Sequence, residues 1–364
     1  MMDENFFDSF HDPVIAGPMA ESLISLKPTR PLTLMHVCGT HEHSLAKAGI
    51  RSMLPTGLRL VAGPGCPVCV CPASDISLAV QAASLPDVTL ATFGDMFRVP
   101  SGETTLELLK ARGADVRVVY SPLDALSIAM EDPDKEVVFM AVGFETTIAP
   151  IAAALRTVSV PNFSVITSLR LVPPALEFLL ERSEGALDGF ILPGHVSIVL
   201  GREGYSFLED AGIPGVISGF EPVDMLQGIL ELARMVEAGP PFKTANLYRR
   251  VVTEEGNRKA RELIESVFTV SDSNWRGIGT IPGSGLRLRE EYSRFDAVEK
   301  MNLSPDPNAV DVMPGCICHK VILGEAESED CPLFGTGCTP RMPVGPCMVS
   351  SEGTCRARYQ YRQV

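Results

Sequence analysis

The chain lacks long hydrophobic runs and a basic start. No stretch of about 18 apolar residues occurs, so we expect no segment that spans a membrane. The first residues, MMDENFFDSFHDP, carry four acidic side chains and no Lys or Arg, whereas a secretory signal begins with a basic segment. We therefore expect a cytoplasmic protein without a membrane partner.

Positive charge and aromatic side chains are also scarce. The formal net charge is −14, from 31 Lys and Arg against 45 Asp and Glu, and the chain contains one Trp. Proteins that bind nucleic-acid phosphates gather basic residues on one face, and base stacking needs aromatic rings. We therefore expect no nucleic-acid partner.

Cysteine is absent from the long middle of the chain, between Cys71 and Cys316. Of the ten cysteines, four lie between Cys38 and Cys71 and six between Cys316 and Cys355. Cysteines that only fill cores would be scattered along the sequence. A disulfide framework is not expected in the cytoplasm, so the two clusters indicate two sites of redox, catalytic or metal chemistry.

Apolar runs of strand length alternate with amphipathic helical stretches from residue 31 to residue 238. This alternation predicts an α/β fold with mostly parallel sheets, whose ligand sites lie at the carboxyl ends of strands. Strand ends recur, as in MHVCGTHE and MAVGFETT, so we predict two similar α/β domains. The predicted ranges are 1–132 with CGTHE and GPGCPVC, 133–240 with GFETT, and a loop-rich C-terminal domain at 241–364.

The C-terminal cysteines lie in a segment so rich in Gly and Pro that long helices or central strands are not expected. Thiolates on flexible turns can converge on one centre, and soft sulfur ligands select zinc or an iron–sulfur cluster. The candidate ligands are Cys331, Cys338, Cys347 and Cys355. Cys316 and Cys318 remain as reserve ligands or structural residues.

Cys38 follows a predicted strand and precedes a predicted helix that begins near His41. A helix N-terminus is expected to lower the pKa of this thiol and to raise its thiolate fraction. His41 and Glu42 add a base and a carboxylate within reach. Two interpretations stay open: a Cys–His nucleophile, or a thiolate and imidazole pair that binds a metal ion.

Cys66 and Cys69 have the CxxC spacing of thiol–disulfide oxidoreductases. A zinc clip would need a second pair nearby, so we favour a redox dithiol and expect Cys71 to be structural. In the second half, Glu145 of GFETT ends a matching strand. Its side chain is explained equally well by function and by helix capping.

Four ordered motifs carry a resemblance to a known family. From Pro31 to Tyr361, the motifs CGTHEHSLAKAGIRSMLP, AGPGCPVCV, GFETT and CPLFGTGCTPRMPVGPCMVSSEGTC together resemble the hydrogenase maturation factor HypD family. The resemblance implies two α/β domains around a cleft and a third domain with a [4Fe–4S] cluster on Cys331, Cys338, Cys347 and Cys355. One departure, His319 where the family commonly has Gly, counts against a cluster role for Cys316 and Cys318.

The resemblance also implies a function. With a small HypC-type chaperone, such a protein assembles the Fe(CN)2CO unit of [NiFe] hydrogenases, and a HypE-type partner delivers cyanide. Cys38 would ligate the iron together with the amino-terminal cysteine of the chaperone. Cys66 and Cys69 would exchange electrons with the cluster, while His41 and Glu42 fill the family's THE positions. We thus expect an assembly scaffold rather than a free-standing turnover enzyme.

Two other functions compete with this expectation. The CxxC pair plus a cluster would also suit a ferredoxin-dependent thiol–disulfide oxidoreductase, for which Cys38 is dispensable. A zinc-stabilised binding protein would be colourless and inert to reduction.

Overall fold

The computed structural model describes residues 12–157, 160–183 and 185–362, so most of the acidic first segment lies outside the described residues. Its strands are β1 Leu32–His36, β2 Leu58–Ala62, β3 Val88–Thr92, β4 Asp115–Val118, β5 Glu136–Gly143, β6 Phe163–Leu169, β7 Gly189–Pro193, β8 Gly215–Ser218, β9 Ala245–Asn246, β10 Phe268–Trp275 and β11 Gly279–Leu288.

The α-helices that connect and follow these strands are mostly short. They are α1 Pro13–Ile24, α2 Gly39–Lys47, α3 Pro67–Val70, α4 Ala73–Ala83, α5 Leu106–Ala111, α6 Pro122–Glu131, α7 Glu145–Thr157, α8 Val172–Ser183, α9 Gly194–Leu200, α10 Ser206–Asp210, α11 Pro222–Ala238, α12 Arg258–Val267, α13 Ala297–Lys300, α14 Cys318–Ile322, α15 Pro346–Val349 and α16 Thr354–Tyr361. Short 3-10 helices cover Ile50–Met53, Gly94–Arg98, Glu203–Tyr205, Glu290–Phe295 and Ser328–Asp330. Within the described residues, no helix combines the length and the apolar character needed to cross a membrane.

Two parallel sheets form the frame and confirm the predicted α/β class. The first has the order β2-β1-β7-β8-β9 and the second the order β4-β3-β5-β6. When the strands of each sheet are numbered in chain order, the second sheet has the order 2-1-3-4. The first sheet has the same order with a fifth strand, β9, added at its edge, which agrees with two similarly built units. In such sheets ligands bind at the switch point, here between β1 and β7 and between β3 and β5.

The sheets divide the chain differently from the predicted ranges. The second sheet is inserted into the first, between β2 and β7, and the expected boundary near residue 132 falls between β4 and β5 of one sheet. β9, expected in the C-terminal domain, pairs with β8 of the first sheet. Chain order misleads here because pairing is decided by packing between distant segments.

The strands are buried along most of their length, as expected for sheets covered on both faces. In β5, every residue after the first is buried. One cluster of buried side chains includes Met35 of β1, Leu90 of β3 and Cys347 of α15, so it joins both sheets to the C-terminal region.

The C-terminal region is loop-rich, as predicted. Its regular part is the antiparallel hairpin of β10 and β11, where the buried Trp275 donates from Nε1 to Ser284 Oγ at 2.8 Å. Beyond Phe295 only short helices occur among the described residues, and α16 packs along α2. The cysteine-rich segment is thereby held against the first sheet.

Candidate functional site

Cys38 lies at the carboxyl end of β1, directly before α2, at the switch point of the first sheet. Its backbone is extended, and the following Gly39 donates its N–H to the Gly65 carbonyl at 3.1 Å. A Cβ on Gly65 would lie 2.2 Å from the Cys38 nitrogen, so only glycine allows this close approach. The loop that carries Cys66 is therefore fixed beside Cys38.

The electrostatic surroundings of Cys38 contradict one expectation. The Thr40 hydroxyl and the backbone N–H groups of Thr40 and His41 contact the thiol, as a helix N-terminus predicts. Burial and the nearby Glu352 carboxylate outweigh these contacts and raise the pKa of Cys38 to about 11. The predicted lowering of the thiol pKa is wrong, and a metal ion would have to displace the proton.

The Glu42 carboxylate is fully buried, and both of its oxygens have several polar partners. Arg51 donates to both of its oxygens, and Arg358 donates from Nε to Oε1 at 2.9 Å. His36 Nε2 lies 2.7 Å from Oε2, so the four acceptor positions of the carboxylate are filled. Burial disfavours ionisation, yet Arg51 and His36 hold the pKa of Glu42 well below its usual range. These surroundings favour an anchoring role over the expected part of this carboxylate in the chemistry at Cys38.

His36, which sequence reasoning missed, connects this anchor to the candidate metal ligand. Its Nδ1 lies 3.2 Å from the Cys38 carbonyl oxygen, and its other nitrogen faces Glu42. Burial is the largest influence on the ring and lowers the pKa of His36. A continuous path of polar contacts thus runs from Arg358 through Glu42 and His36 to Cys38.

His41 is buried behind Cys38 as a neutral ring. Its Nε2 lies 3.4 Å from the Ser218 carbonyl oxygen, while Nδ1 has no hydrogen-bond partner among the described residues. Burial lowers the pKa of His41 to about 3. The ring contacts Phe220, which also contacts the exposed His195; the centroids of the Phe220 and His195 rings are 4.1 Å apart. His41 can therefore offer a lone pair or one hydrogen bond without carrying charge.

Cys66 is the N-cap residue of α3, Cys69 lies within that helix, and the two are paired as a disulfide. Both are almost completely buried, and the Cys69 N–H lies 3.2 Å from Cys66 Sγ. α3 contacts β5 of the second sheet and packs against α15, which carries Cys347. The pair therefore lies between the Cys38 loop and the cysteine-rich segment.

Cys71 is separated from this pair by its own partners. Its sulfur lies 3.2 Å from Ser168 Oγ, which donates to Asp75 at 2.7 Å. Burial raises the pKa of Cys71 to about 12. These surroundings agree with the expected structural role.

Glu145 begins α7 at the end of β5, the switch point of the second sheet. Its Oε1 accepts the Val172 N–H at 2.8 Å and so caps α8, whereas the buried Oε2 has no partner among the described residues. Burial raises the pKa of Glu145 to about 7. The side chain thus combines a capping contact with an oxygen available for chemistry.

The helices that follow the two switch points pack against each other. α7 of the second sheet contacts α9 of the first. Next to α9, the buried Tyr205 lies 3.1 Å from Ser197 Oγ, and both Glu145 and Cys38 lie close enough to influence its electrostatics. Cys38 and Glu145, predicted from separate motifs, therefore occupy one region between the sheets.

The six C-terminal cysteines differ in their surroundings. Cys331 is half-buried and its sulfur lies 3.8 Å from the Gly315 carbonyl, whereas the other five are buried. Val344 donates its N–H to Cys338 Sγ at 3.3 Å, and Cys355 donates its N–H to Cys347 Sγ at 3.2 Å. A Cβ on Gly345 would lie 3.0 Å from Cys316 Sγ and 3.3 Å from Cys318 Sγ.

This donor set suits an iron–sulfur cluster chemically, because thiolate ligands of clusters accept backbone N–H bonds in apolar surroundings. Across the residues that the structure describes, no three His, Cys, Asp or Glu side chains already surround one point. The assignment of Cys331, Cys338, Cys347 and Cys355 therefore stays a prediction.

Glu352 and Arg358 are the other residues that sequence reasoning missed. Both belong to the C-terminal segment, and both contact the CGTHE motif. The motif VSSEG and Arg358, three residues after Cys355, were visible in the sequence, but nothing local indicated which distant segment they touch.

The site is built from sulfur. A half-buried thiol, a disulfide and a group of buried cysteines lie on an α/β frame, and such residues are compatible with metal and redox chemistry. The HypD family, described as "Hydrogenase formation hypA family", matches residues 16–362. The chain belongs to this family.

Named relatives agree with that membership. The chain is 42% identical to hydrogenase maturation factor HypD2 of Bradyrhizobium diazoefficiens, over 98% of this chain and 96% of that protein. It is 43% identical to hydrogenase maturation factor HypD of Escherichia coli and 42% identical to that of Rhodobacter capsulatus, each over 98% of both chains. The role of this protein therefore lies in hydrogenase maturation.

Proposed function

We propose that this chain is a scaffold on which a ferrous ion acquires cyanide and CO before its transfer to a [NiFe] hydrogenase. The observation that carries the proposal is the adjacency of the Cys38 loop, the Cys66–Cys69 pair and the segment with Cys347. An iron ion with these ligands is electron-rich, so a soft thiolate anchor in reducing, cytoplasmic surroundings suits it.

Cys38 would be the ligand that this chain gives to the iron cargo. A small HypC-type chaperone would supply a second thiolate from its amino-terminal cysteine, and a HypE-type partner would deliver cyanide. His41 Nδ1 and Glu145 Oε2, both buried and without a hydrogen-bond partner among the described residues, would be two of the polar atoms that meet incoming ligands. With a pKa of about 7, Glu145 can hold or release a proton near neutrality.

Cys331, Cys338, Cys347 and Cys355 would hold a [4Fe–4S] cluster, which supplies one-electron transfer when bound. Cys66 and Cys69 would store two electrons as a dithiol and release them on forming the disulfide. The contact of α3 with α15 supports this pairing of functions, because it brings the disulfide to a cluster-bearing segment.

Infrared spectroscopy of the chain purified with its small partner tests the proposal. Bands of metal-bound CO and cyanide are expected in a cell that makes all the maturation proteins, and their absence would refute it. Cys38→Ala should remove these bands and leave the visible absorption of the cluster intact. Cys71→Ala, a matched thiol deletion outside the site, should retain both signals.

A second function is favoured by one observation, the packing of the buried disulfide against the helix that carries Cys347. A ferredoxin-dependent thiol–disulfide oxidoreductase would use the same arrangement to reduce a protein disulfide. Such an enzyme does not need Cys38. Disulfide reduction that persists in Cys38→Ala and depends on Cys66 and Cys69 would support it.

A further inference from the structure

Arg276 lies in the turn of the β10–β11 hairpin and is a buried cation that binds backbone carbonyls. Its side chain is 2% exposed, although a guanidinium keeps its charge in proteins. Among the described residues, the acceptors of this guanidinium are all carbonyl oxygens: Nε donates to Asp311 at 2.7 Å, Nη2 to Pro100 at 3.3 Å and Nη1 to Cys71 at 3.4 Å. Because the fork is planar and rigid, it holds these three segments in fixed relative positions.

Arg276 makes two contacts at the carboxyl end of α3, directly after Cys69. Its backbone N–H donates to the Val70 carbonyl at 2.9 Å, and its side chain donates to the Cys71 carbonyl. The last carbonyls of a helix have no partner inside the helix. Arg276 supplies donors for them from a segment that lies 205 positions away from Cys71.

α3 depends on such contacts because it has only four residues. At its other end, the Cys66 carbonyl accepts the N–H groups of Cys69 at 3.1 Å and of Val70 at 3.2 Å. A single helical turn is not stable by itself, since it fixes several residues for very few hydrogen bonds. In the oxidised chain the disulfide also holds the turn closed. After reduction the turn relies on its neighbours, and Arg276 is the one that binds its carboxyl end.

We propose that Arg276 is a positioning residue for Cys66 and Cys69: by holding the end of α3, it keeps the two thiols of the reduced pair within reach of each other. The inference rests on the proposed role of this pair as a two-electron store, because such a store has to re-form its disulfide. The hairpin that carries Arg276 thereby helps to set the balance between dithiol and disulfide.

Equilibration of the full chain in glutathione redox buffers measures this balance. Two glutathione thiols give two electrons and two protons to the pair, so the S–S bond between Cys66 and Cys69 breaks, two thiols form, and one glutathione disulfide is released. Alkylation and mass spectrometry count the two states. Arg276→Met removes the side-chain donors and should lower the equilibrium constant for closing the disulfide by about tenfold.

Two further variants make the measurement specific. Arg276→Lys keeps the charge but lacks the planar fork, so it should shift the constant in the same direction by less. It also carries the test if the Met variant does not fold. Arg289→Met is the matched control, because this arginine directly after β11 donates to the Glu265 and Phe268 carbonyls at the end of α12. It should leave the constant at the wild-type value.

A wild-type constant in folded Arg276→Met, or in Arg276→Lys when the Met variant does not fold, would overturn the positioning role. An equal shift in Arg289→Met would also overturn it, because any weakening of the hairpin would then move the pair. The measurement needs no iron, cyanide or partner. A missing CO and cyanide signal in the wild-type complex would instead refute the proposed function and leave this equilibrium readable.

Discussion

Arg358 and Glu42 are 316 positions apart in the chain, and their side chains meet at 2.9 Å in the interior. Glu42 lies in the first turn of α2, the helix that follows Cys38, while Arg358 lies on α16, which starts just before Cys355. One ion pair therefore connects the two cysteine clusters of the sequence. A buried ion pair is costly to break, because the remaining charge loses its partner without regaining water.

Arg358→Met should lower the free energy of unfolding by about 1.5–3 kcal/mol, because it removes one of the donors to the fully buried Glu42 while Arg51 and His36 remain. Chemical denaturation of the two proteins measures the difference. Arg182→Met is the matched control, since it breaks an exposed pair with Glu325 and should cost less than about 1 kcal/mol. Equal small losses in both variants would contradict the anchoring role.

The contacts of Glu42 with Arg51 and His36 predict an acid dependence. Since these contacts hold the pKa of Glu42 below its usual value, they add stability above about pH 4 and lose it as the pH falls through the folded-state pKa. The gap in unfolding free energy between wild type and Arg51→Met should therefore narrow in acid. A gap that widens as the pH falls would refute this account.

The contribution of Glu145 to stability should depend on pH in the opposite sense. Its raised pKa of about 7 means that the folded chain prefers the protonated form, so this contribution is complete below about pH 4 and is lost as the pH rises through 7. Glu145→Gln stays neutral and should gain up to about 3 kcal/mol over wild type between those limits. Unfolding free energies measured across the range should show the two proteins diverging toward alkaline pH.

The buried disulfide predicts a two-electron titration. Alkylation and mass spectrometry after equilibration in thiol redox buffers should show Cys66 and Cys69 changing state together. Cys69→Ser should abolish this step, whereas Cys71→Ser should preserve it, because Cys71 is bonded to Ser168 instead. A transition that requires Cys71 would contradict the assignment.

Gly65→Ala tests the close approach of the two N-terminal cysteine loops. The added Cβ would overlap the Val37–Cys38 peptide, so we expect a loss of about 1–3 kcal/mol and displacement of Cys38. Gly17→Ala adds the same atom where no neighbour lies within 4 Å and should not destabilise the protein. Equal unfolding midpoints would show that the loops have room to separate.

Strands, helices and motif residues that depend on residues close together in the sequence could be predicted from it. The strand of FSVITSL and the helix after Cys38 were predictable because hydrophobic periodicity and glycine positions act locally. The motif residues Cys38 and Glu145 were found because they end strands of parallel sheets, where ligand sites concentrate.

Contacts between distant segments were not predictable in the same way. The predicted ranges separated β3 from β5, yet these strands pair, because the order of a sheet depends on packing that a single sequence does not display. The helix N-terminus suggested a reactive thiolate at Cys38. Burial of the thiol reverses that expectation, and the carboxylate of Glu352, which adds to the effect, comes from a distant part of the sequence.

The insertion of one sheet into the other has a consequence for biosynthesis. On the ribosome, β1 and β2 emerge first, but β1 meets its other neighbour, β7, only after the whole second sheet has been made. Arg358 and Glu352 follow later still. The surroundings of Cys38 are therefore completed only after the cysteine-rich segment has been made, and a nascent chain truncated before Glu352 would lack them.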